Sequence, residues 1–283
     1  MSAQALEQPV VVVRRGNIPP IVTLAVKEAK RILFSPAYLL LLGFFLLTGG
    51  IEGIIEGASV VFDSRIFYEA IVFYSALYLG LITYVAAHLV TSSARRAHAD
   101  QQLAASPIDE RGRGLGLCLG VVLGPFVFAI ILMTILAVIS AINPMPTVGP
   151  DGITPLSIAE LAQVAISFAG AGLFGVMLAT WLRFPGSLLL GLVVLVFGTA
   201  FILGSGDTNT VTPWFAPHLV GAGWIDEPWA TMGSQAWHAV YLVGLCLLGV
   251  CAVALKQRER RRTWYLASVG AVLFTAFAGF LQL

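Results

Sequence analysis

Long apolar segments alternate with short polar ones along most of this chain, at a spacing that predicts membrane-spanning helices. A helix needs about 20 mainly apolar residues to cross the hydrocarbon core of a bilayer. Seven segments approach or exceed that length, at residues 36–56, 66–90, 114–140, 156–182, 186–205, 235–255 and 264–282. The pattern therefore predicts an all-α integral membrane protein with six to seven transmembrane helices. For the last segment, a re-entrant segment is the alternative.

The composition supports this fold class and excludes several others. Of the 283 residues, 58% are hydrophobic and 11% are charged, whereas soluble domains carry about 25% charged residues. This low charged fraction excludes a cytosolic enzyme, a nucleic-acid binder with a basic face and a disordered scaffold, and the formal net charge of +1 implies no partner. The cysteines Cys118, Cys246 and Cys251 lie inside apolar stretches, where we interpret them as small buried hydrophobes.

The first 35 residues are predicted to be a cytoplasmic N-terminal segment, and residues 36–283 the transmembrane domain. Within residues 18–35, helical spacing separates an apolar face from a polar one. The apolar face consists of Val22, Ala25, Val26, Ala29, Ile32 and Leu33, and the polar face of Thr23, Lys27, Lys30 and Arg31. This pattern predicts an amphipathic helix in the cytoplasmic membrane interface. The simpler alternative is an anchor that only fixes the orientation of the chain.

The positions of the basic residues predict the orientation. Fifteen of the 16 lysines and arginines fall on one side if the N-terminus is cytoplasmic and seven helices cross, and only Arg65 falls on the other. Basic residues are enriched on the cytoplasmic side of membrane proteins. We therefore expect a multi-pass protein of the cell (plasma or inner) membrane, with Leu283 outside.

Three connecting segments carry their own signals. Arg183-Phe184-Pro185-Gly186 leaves room only for a tight turn between the fourth and fifth spans. Residues 93–114 predict a short polar helix over 94–105, followed by a charged turn over 108–111. Residues 206–234 predict an outer loop whose tryptophans suit the headgroup level; they are Trp214, Trp224 and Trp229.

A search for chemistry finds no energy source within the chain. None of the three lysines follows a glycine, so the phosphate-binding loop of ATPases is absent. No cluster of residues suits a metal, a haem or a catalytic centre. The ionisable residues of the spans are expected near helix ends, where they snorkel to the interface; they are Glu69, His88, Glu160 and Arg183. Because the middles of the spans carry no charge, we expect another subunit to supply the energy.

Two stretches resemble a known family. The first is Lys30-Arg31-Ile32-Leu33-Phe34-Ser35-Pro36, which ends the amphipathic helix. The second runs from Ser92-Ser93-Ala94-Arg95-Arg96 through Gln102-Leu103-Ala104-Ala105-Ser106-Pro107 to Arg111 and the glycines of 112–120. Together they resemble permease subunits of ATP-binding cassette exporters of the ABC-2 type, over roughly residues 20–125.

The resemblance implies an ABC-2 (type V exporter-like) architecture with an N-terminal elbow helix. It implies two kinds of partner, a second permease that is identical or homologous and ATP-binding cassette subunits that bind ATP and Mg²⁺. This chain itself would then hold no cofactor and would not be an enzyme. The resemblance assigns coupling to the ATPase to Arg95, Arg96, Leu103 and Pro107, with Lys30 and Arg31 on the amphipathic helix nearby. The alternative for this loop is a positive-inside anchor.

A possible substrate path follows one face of the second span. Its members are aromatic or aliphatic at helical spacing: Phe67, Ile71, Tyr74, Tyr78, Leu81 and Val85. They could line a cavity between two permeases, which favours an amphipathic or lipid-like cargo, or they could pack against neighbouring helices. The leading hypothesis is thus an exporter permease in contact with membrane lipids and not with nucleic acid. The alternative is a non-transporting membrane anchor or scaffold subunit of another complex.

Overall fold

The structure is a computed structural model, and it describes residues 19–45, 78–96, 110–142, 158–204, 235–256 and 261–281. Within these ranges the regular secondary structure is helical throughout. We number the helices α1 Pro20–Leu33, α2 Pro36–Phe45, α3 Gly80–Arg96, α4 Glu110–Val121, α5 Val127–Ile142, α6 Ile158–Trp181, α7 Ser187–Gly204, α8 Gln235–Leu255 and α9 Arg261–Leu281. A π-helical turn, Val122–Phe126, joins α4 to α5 without a break.

Four of the described segments are long and apolar enough to cross a membrane. They are Arg111–Ile135, Leu161–Trp181, Ala236–Leu255 and Arg262–Leu281, and a shorter apolar stretch covers Ser187–Phe197 of α7. The predicted all-helical fold and its fit to a membrane protein are therefore confirmed. About half of each of the predicted spans 36–56 and 66–90 lies outside the described residues, so the count of six to seven stays a prediction.

Helix α6 lies at the centre of the bundle and packs against α3, α4, α5, α7 and α8. Its glycines permit close approach, as is common between membrane helices. A Cβ at Gly175 would lie 2.6 Å from the carbonyl oxygen of Tyr84 in α3. The space that a Cβ at Gly172 would need is filled by the side chains of Val121 in α4 and Thr83 in α3. The central position of α6 thus depends on residues that carry no side chain.

Helix α1 packs along α4 and the π-helical turn. Three glycines of that segment, spaced four residues apart, face α1. A Cβ at Gly116 would meet the Leu24 side chain, one at Gly120 would lie 3.1 Å from the Ala25 carbonyl oxygen, and one at Gly124 would lie 3.2 Å from the Ala29 carbonyl oxygen. The predicted amphipathic helix is thus confirmed as a helix. Ala25 and Ala29 of its apolar face pack against α4, whereas Val26 is 43% exposed. The amphipathic pattern alone did not indicate this protein partner.

The π-helical turn lies where α1 packs on this long helix. Pro125 is inside the turn and is buried. A proline has no backbone N–H and its ring crowds the preceding turn, and a locally widened turn is one way in which a helix accommodates such an interruption. The contact between α1 and Gly124 therefore lies at the irregular point of the α4–α5 segment.

The ends of several helices meet at one end of the bundle. The end of α3 contacts the start of α7 where His88 meets Ser187, and the ends of α6 and α8 meet where Trp181 contacts Ala252. The start of α4 joins them, because a Cβ at Gly114 would meet Val253 of α8. We call this region the basic end. The described basic residues belong to helix ends or turns in this region, or to α1: Lys27, Lys30, Arg31, Arg95, Arg96, Arg111, Arg113, Arg183, Lys256, Arg261 and Arg262. The predicted orientation would put this end on the cytoplasmic side, and it stays a prediction.

The seventh predicted span forms a continuous helix, α9, that runs antiparallel to α8. Ala278 packs with Tyr241 and Leu242, and a Cβ at Gly244 would lie 3.0 Å from the Thr275 Cα. A re-entrant segment would need a break, and α9 is unbroken from Arg261 to Leu281. The helical interpretation of residues 264–282 is therefore the one that the structure favours.

Two predicted boundaries are wrong. Helix α3 continues through Arg96, so the predicted polar helix over 94–105 does not begin as a separate element. The reason is that Ser92 and Ser93 donate their hydroxyl groups to the carbonyl oxygens of His88 and Val90 in the preceding turn, so these polar side chains are accommodated without ending the helix. In the predicted turn over 108–111, the described residues Glu110 and Arg111 are helical.

Candidate functional site

Arg31 connects α1 to the end of α3. Its Nη1 donates to both carboxylate oxygens of Glu28 at 2.9 Å, and its Nη2 donates to Ser93 Oγ at 2.9 Å. Ser93 in turn donates to the Val90 carbonyl oxygen. The planar guanidinium suits this double role, because its N–H groups point in fixed directions. We call the group of Glu28, Arg31 and Ser93 the Arg31 bridge.

Glu28 was not identified from the sequence. Only 8% of the residue is exposed, although it belongs to a helix at the basic end. Its Cβ would lie 3.1 Å from a Cβ at Gly120, so the glycine leaves the space in which Glu28 packs. A buried carboxylate needs a hydrogen-bonding cation, and Arg31 supplies one. Glu28 therefore holds Arg31 in the position from which it reaches Ser93.

A second contact joins α3 to the α6–α7 hairpin. Tyr84 Oη donates to the Leu188 carbonyl oxygen at 2.9 Å, and His88 Nε2 lies 3.0 Å from Ser187 Oγ. The Tyr84 hydroxyl occupies the space that a Cβ at Gly191 would need. We call the group of Tyr84, His88, Ser187 and Leu188 the hairpin contact. It fixes the start of α7 against α3.

The turn before α7 confirms the predicted hairpin. The amide of Leu182 still donates to the Leu178 carbonyl oxygen, and the amide of Ser187 donates to the Phe184 carbonyl oxygen at 3.2 Å. The antiparallel pair α6–α7 is therefore closed by five residues, 182–186. Arg183 is exposed in this turn, as expected for a basic residue at the interface.

The expectation for His88 is wrong. Snorkelling would expose its ring, yet only 4% of the residue is exposed and the ring is hydrogen-bonded to Ser187. Tyr84 and Ser187 were not identified at all. The sequence does place Ser187 directly after a Pro-Gly turn, where a hydroxyl often stabilises the start of a helix. It holds no signal for a partner in α3.

The coupling residues that the structure describes belong to two helices at the basic end. Lys30 and Arg31 are exposed in the last turn of α1. Arg95 and Arg96 form the last residues of α3, where the structure describes the backbone. Leu103 and Pro107 lie outside the described residues. Since α3 ends at Arg96 and α4 begins at Glu110, both ends of the predicted coupling loop are at helices that α1 contacts.

The predicted substrate path can be followed only in its second half. Phe67 and Tyr74 lie outside the described residues. Tyr78 is 46% exposed, whereas Leu81 and Val85 are partly buried and pack against the main hydrophobic core. Leu81 and Val85 therefore favour packing, and among the described members of the path Tyr78 is the exposed aromatic residue.

Other candidate chemistry is limited. Within the described ranges, no group of three His, Cys, Asp or Glu side chains could hold a metal ion. Cys118 and Cys251 are buried and Cys246 is partly buried, in agreement with their interpretation as small apolar residues. Glu160 is in the first turn of α6, where only its backbone is described, and Glu69 lies outside the described residues.

Comparison of the chain with protein-family models, with curated proteins and with solved structures finds no match.

Proposed function

We propose that this chain is the membrane-spanning permease subunit of an ATP-driven transporter of the ABC-2 type. In this proposal separate ATP-binding subunits supply the energy, and a second permease completes the path across the membrane. The cargo is amphipathic or lipid-like and is exported. The proposal places the complex in the cell membrane with the basic end facing the cytoplasm.

One structural observation carries the proposal. Helix α1 is fixed both to α3, by the Arg31 bridge, and to α4, by the glycines that include Gly120. These two helices are the ones that residues 97–109 connect. A force applied by a partner to that loop would therefore reach α1, α3 and α4 together, since the three pack as a unit at the basic end.

The hairpin contact extends this unit. Through Tyr84 and His88, α3 also holds the start of α7, and through Gly175 it packs on the central helix α6. A displacement of α3 would thus be transmitted to the middle of the bundle. This arrangement suits a subunit that is moved by an external motor, and it supports the proposal more than it supports a passive anchor.

The proposal is tested with the purified complex. The chain is isolated in mild detergent with its bound subunits, which are identified by mass spectrometry and reconstituted in proteoliposomes. We expect a subunit with Walker motifs, ATP hydrolysis by the complex and none by this chain alone. Translocation of a fluorescently labelled phospholipid should require ATP and should stop when the catalytic glutamate of the ATPase is changed to Gln.

Two results would contradict the proposal. Stable association only with subunits that lack nucleotide-binding motifs would favour the alternative, a non-transporting anchor or scaffold. Translocation that continues with the inactive ATPase and follows a proton gradient would instead indicate ion coupling. In that case Glu69 and Glu160 would become the residues to examine.

A further inference from the structure

Trp181, the last residue of α6, is held at the basic end by two contacts with α8. Its indole Nε1 donates to the Ala252 carbonyl oxygen at 2.9 Å. The Lys256 ammonium lies 4.9 Å from the centroid of its ring. The side chain nevertheless remains 47% exposed. The indole N–H is therefore satisfied within the protein, while much of the ring stays open to the surroundings.

A basic residue follows the end of each of these two helices. A cation near a helix C-terminus is favoured by the helix dipole, and Lys256 directly follows α8. Arg183 is exposed two residues after the end of α6. The contact of Lys256 with the ring is a cation–π interaction, and it leaves ammonium hydrogens able to bind an anionic acceptor. One cation thus lies against the oriented aromatic ring, and a second follows the ring by two residues along the chain.

An apolar strip leads away from this ring along α6. Its members are Phe174, Met177 and Leu178, which pack on one side against the main hydrophobic core and stay partly exposed on the other. The strip runs between two neighbouring helices, because Leu178 fills the space beside Gly191 of α7 while Trp181 contacts Ala252 of α8. This surface changes from basic to aromatic to apolar along α6. A phospholipid changes in the same order, from its phosphate through its glycerol region to its acyl chains.

We propose that the basic end of the α6–α8 pair binds one anionic phospholipid. Its phosphate contacts Lys256 and Arg183, its glycerol region lies beside the Trp181 ring, and one acyl chain follows the strip on α6. A zwitterionic lipid presents the same acyl chains but adds a positive headgroup charge next to these cations. The site therefore prefers a lipid with net negative charge. This inference does not depend on the proposed function.

The experiment uses Trp181 as its own reporter. The other five of the six tryptophans are replaced by Phe, and the chain is reconstituted in phosphatidylcholine with a small fraction of lipid brominated on its acyl chains. Bromine quenches tryptophan fluorescence at short range. We expect brominated phosphatidylglycerol to quench Trp181 more strongly than the same fraction of brominated phosphatidylcholine. Lys256→Gln should lower this preference about fivefold, which corresponds to about 1 kcal/mol for one basic residue near a membrane surface.

The matched control is Lys27→Gln, which removes an exposed cation on α1 and should leave the preference unchanged. Native mass spectrometry of the chain with all its tryptophans gives a second measurement. It should detect one retained phosphatidylglycerol, with less in Lys256→Gln. Equal quenching by the two brominated lipids would overturn the proposal. So would a preference that survives the Lys256→Gln/Arg183→Gln double variant, or one that Lys27→Gln reduces equally, since that would indicate only a general surface potential.

Discussion

A Cβ atom at Gly120 would lie 3.1 Å from the carbonyl oxygen of Ala25. The obstacle is backbone, so it cannot rotate out of the way as a flexible side chain would. Helix α4 therefore approaches α1 closely only because position 120 has no side chain. The position of α1, and with it the Arg31 bridge, depends on this residue pair together with the contacts at Gly116 and Gly124.

The first prediction follows from this contact. Gly120→Leu should separate α1 from α4 and lower the free energy of unfolding by about 1–3 kcal/mol, the usual cost of overpacking. Gly270→Leu is the matched control, since a Cβ at Gly270 meets nothing within 4 Å. Both variants are compared by thermal unfolding in detergent. Equal midpoints for the two variants would show that the α1–α4 contact contributes nothing to stability.

The Arg31 bridge predicts an interaction energy between α1 and α3. In a double-mutant cycle, Arg31→Gln and Ser93→Ala should be non-additive, with a coupling of about 0.5 kcal/mol or more. The value stays modest because the Arg31 side chain is 52% exposed and solvent screens it. Lys27→Gln with Ser93→Ala is the control cycle and should be additive. If both cycles were additive, the Arg31 bridge would not couple α1 to α3.

The hairpin contact predicts a position-dependent cost for the loss of a serine hydroxyl. Ser187→Ala leaves the buried His88 ring without its Ser187 contact and should destabilise the protein by about 1–3 kcal/mol. Ser268→Ala serves as the control, because Ser268 donates only to the Trp264 carbonyl oxygen of its own helix. The comparison again uses thermal unfolding. A cost for Ser187→Ala no larger than for Ser268→Ala would show that α7 is not fixed through His88.

The sequence predicts well what is decided within one helix or one turn. The hairpin at 182–186 follows from Pro185-Gly186, and the α1 helix follows from the periodicity between Pro20 and Leu33. These signals are local, so they can be identified without knowing what packs against the element. The same reasoning explains why α9 could be predicted as a helix from its apolar length.

Contacts between helices could not be predicted. Arg31 and Ser93 are 62 residues apart, and His88 and Ser187 are 99 residues apart. A glutamate in a helix is ordinarily expected to be exposed. The burial of Glu28 depends on Gly120 in another helix. The wrong boundary at Ala94 has a related cause, because serine side chains that bond back to their own helix let polar residues continue α3 beyond the apolar segment.

The predicted topology can be tested by labelling. In a chain whose three cysteines are replaced by Ala, Leu283→Cys should react with a membrane-impermeant reagent in intact cells. Arg258→Cys should react only after the membrane is opened, since the basic end is predicted to be cytoplasmic. Reaction of Arg258→Cys in intact cells would contradict the orientation. Protection of Leu283→Cys would contradict only the crossing of α9.

The central claim is that an ATPase drives this subunit through the loop between α3 and α4. Leu103→Asp would place an unpaired carboxylate in the apolar pocket that the proposed coupling interface requires, at a cost of about 2–7 kcal/mol for a buried polar group without a partner. Leu103→Met keeps the volume and polarity and is the matched control. Apolar anchors usually carry more binding energy than exposed charges at an interface.

The decisive measurement is ATP-dependent translocation of fluorescent phospholipid by reconstituted complexes that carry each Leu103 variant. We predict that Leu103→Met transports like the unmodified protein, and that Leu103→Asp is expressed and inserted normally but loses both the ATPase and transport. If Leu103→Asp retains the ATPase and transports at the unmodified rate, residues 97–109 do not couple this chain to a motor, and the account is wrong.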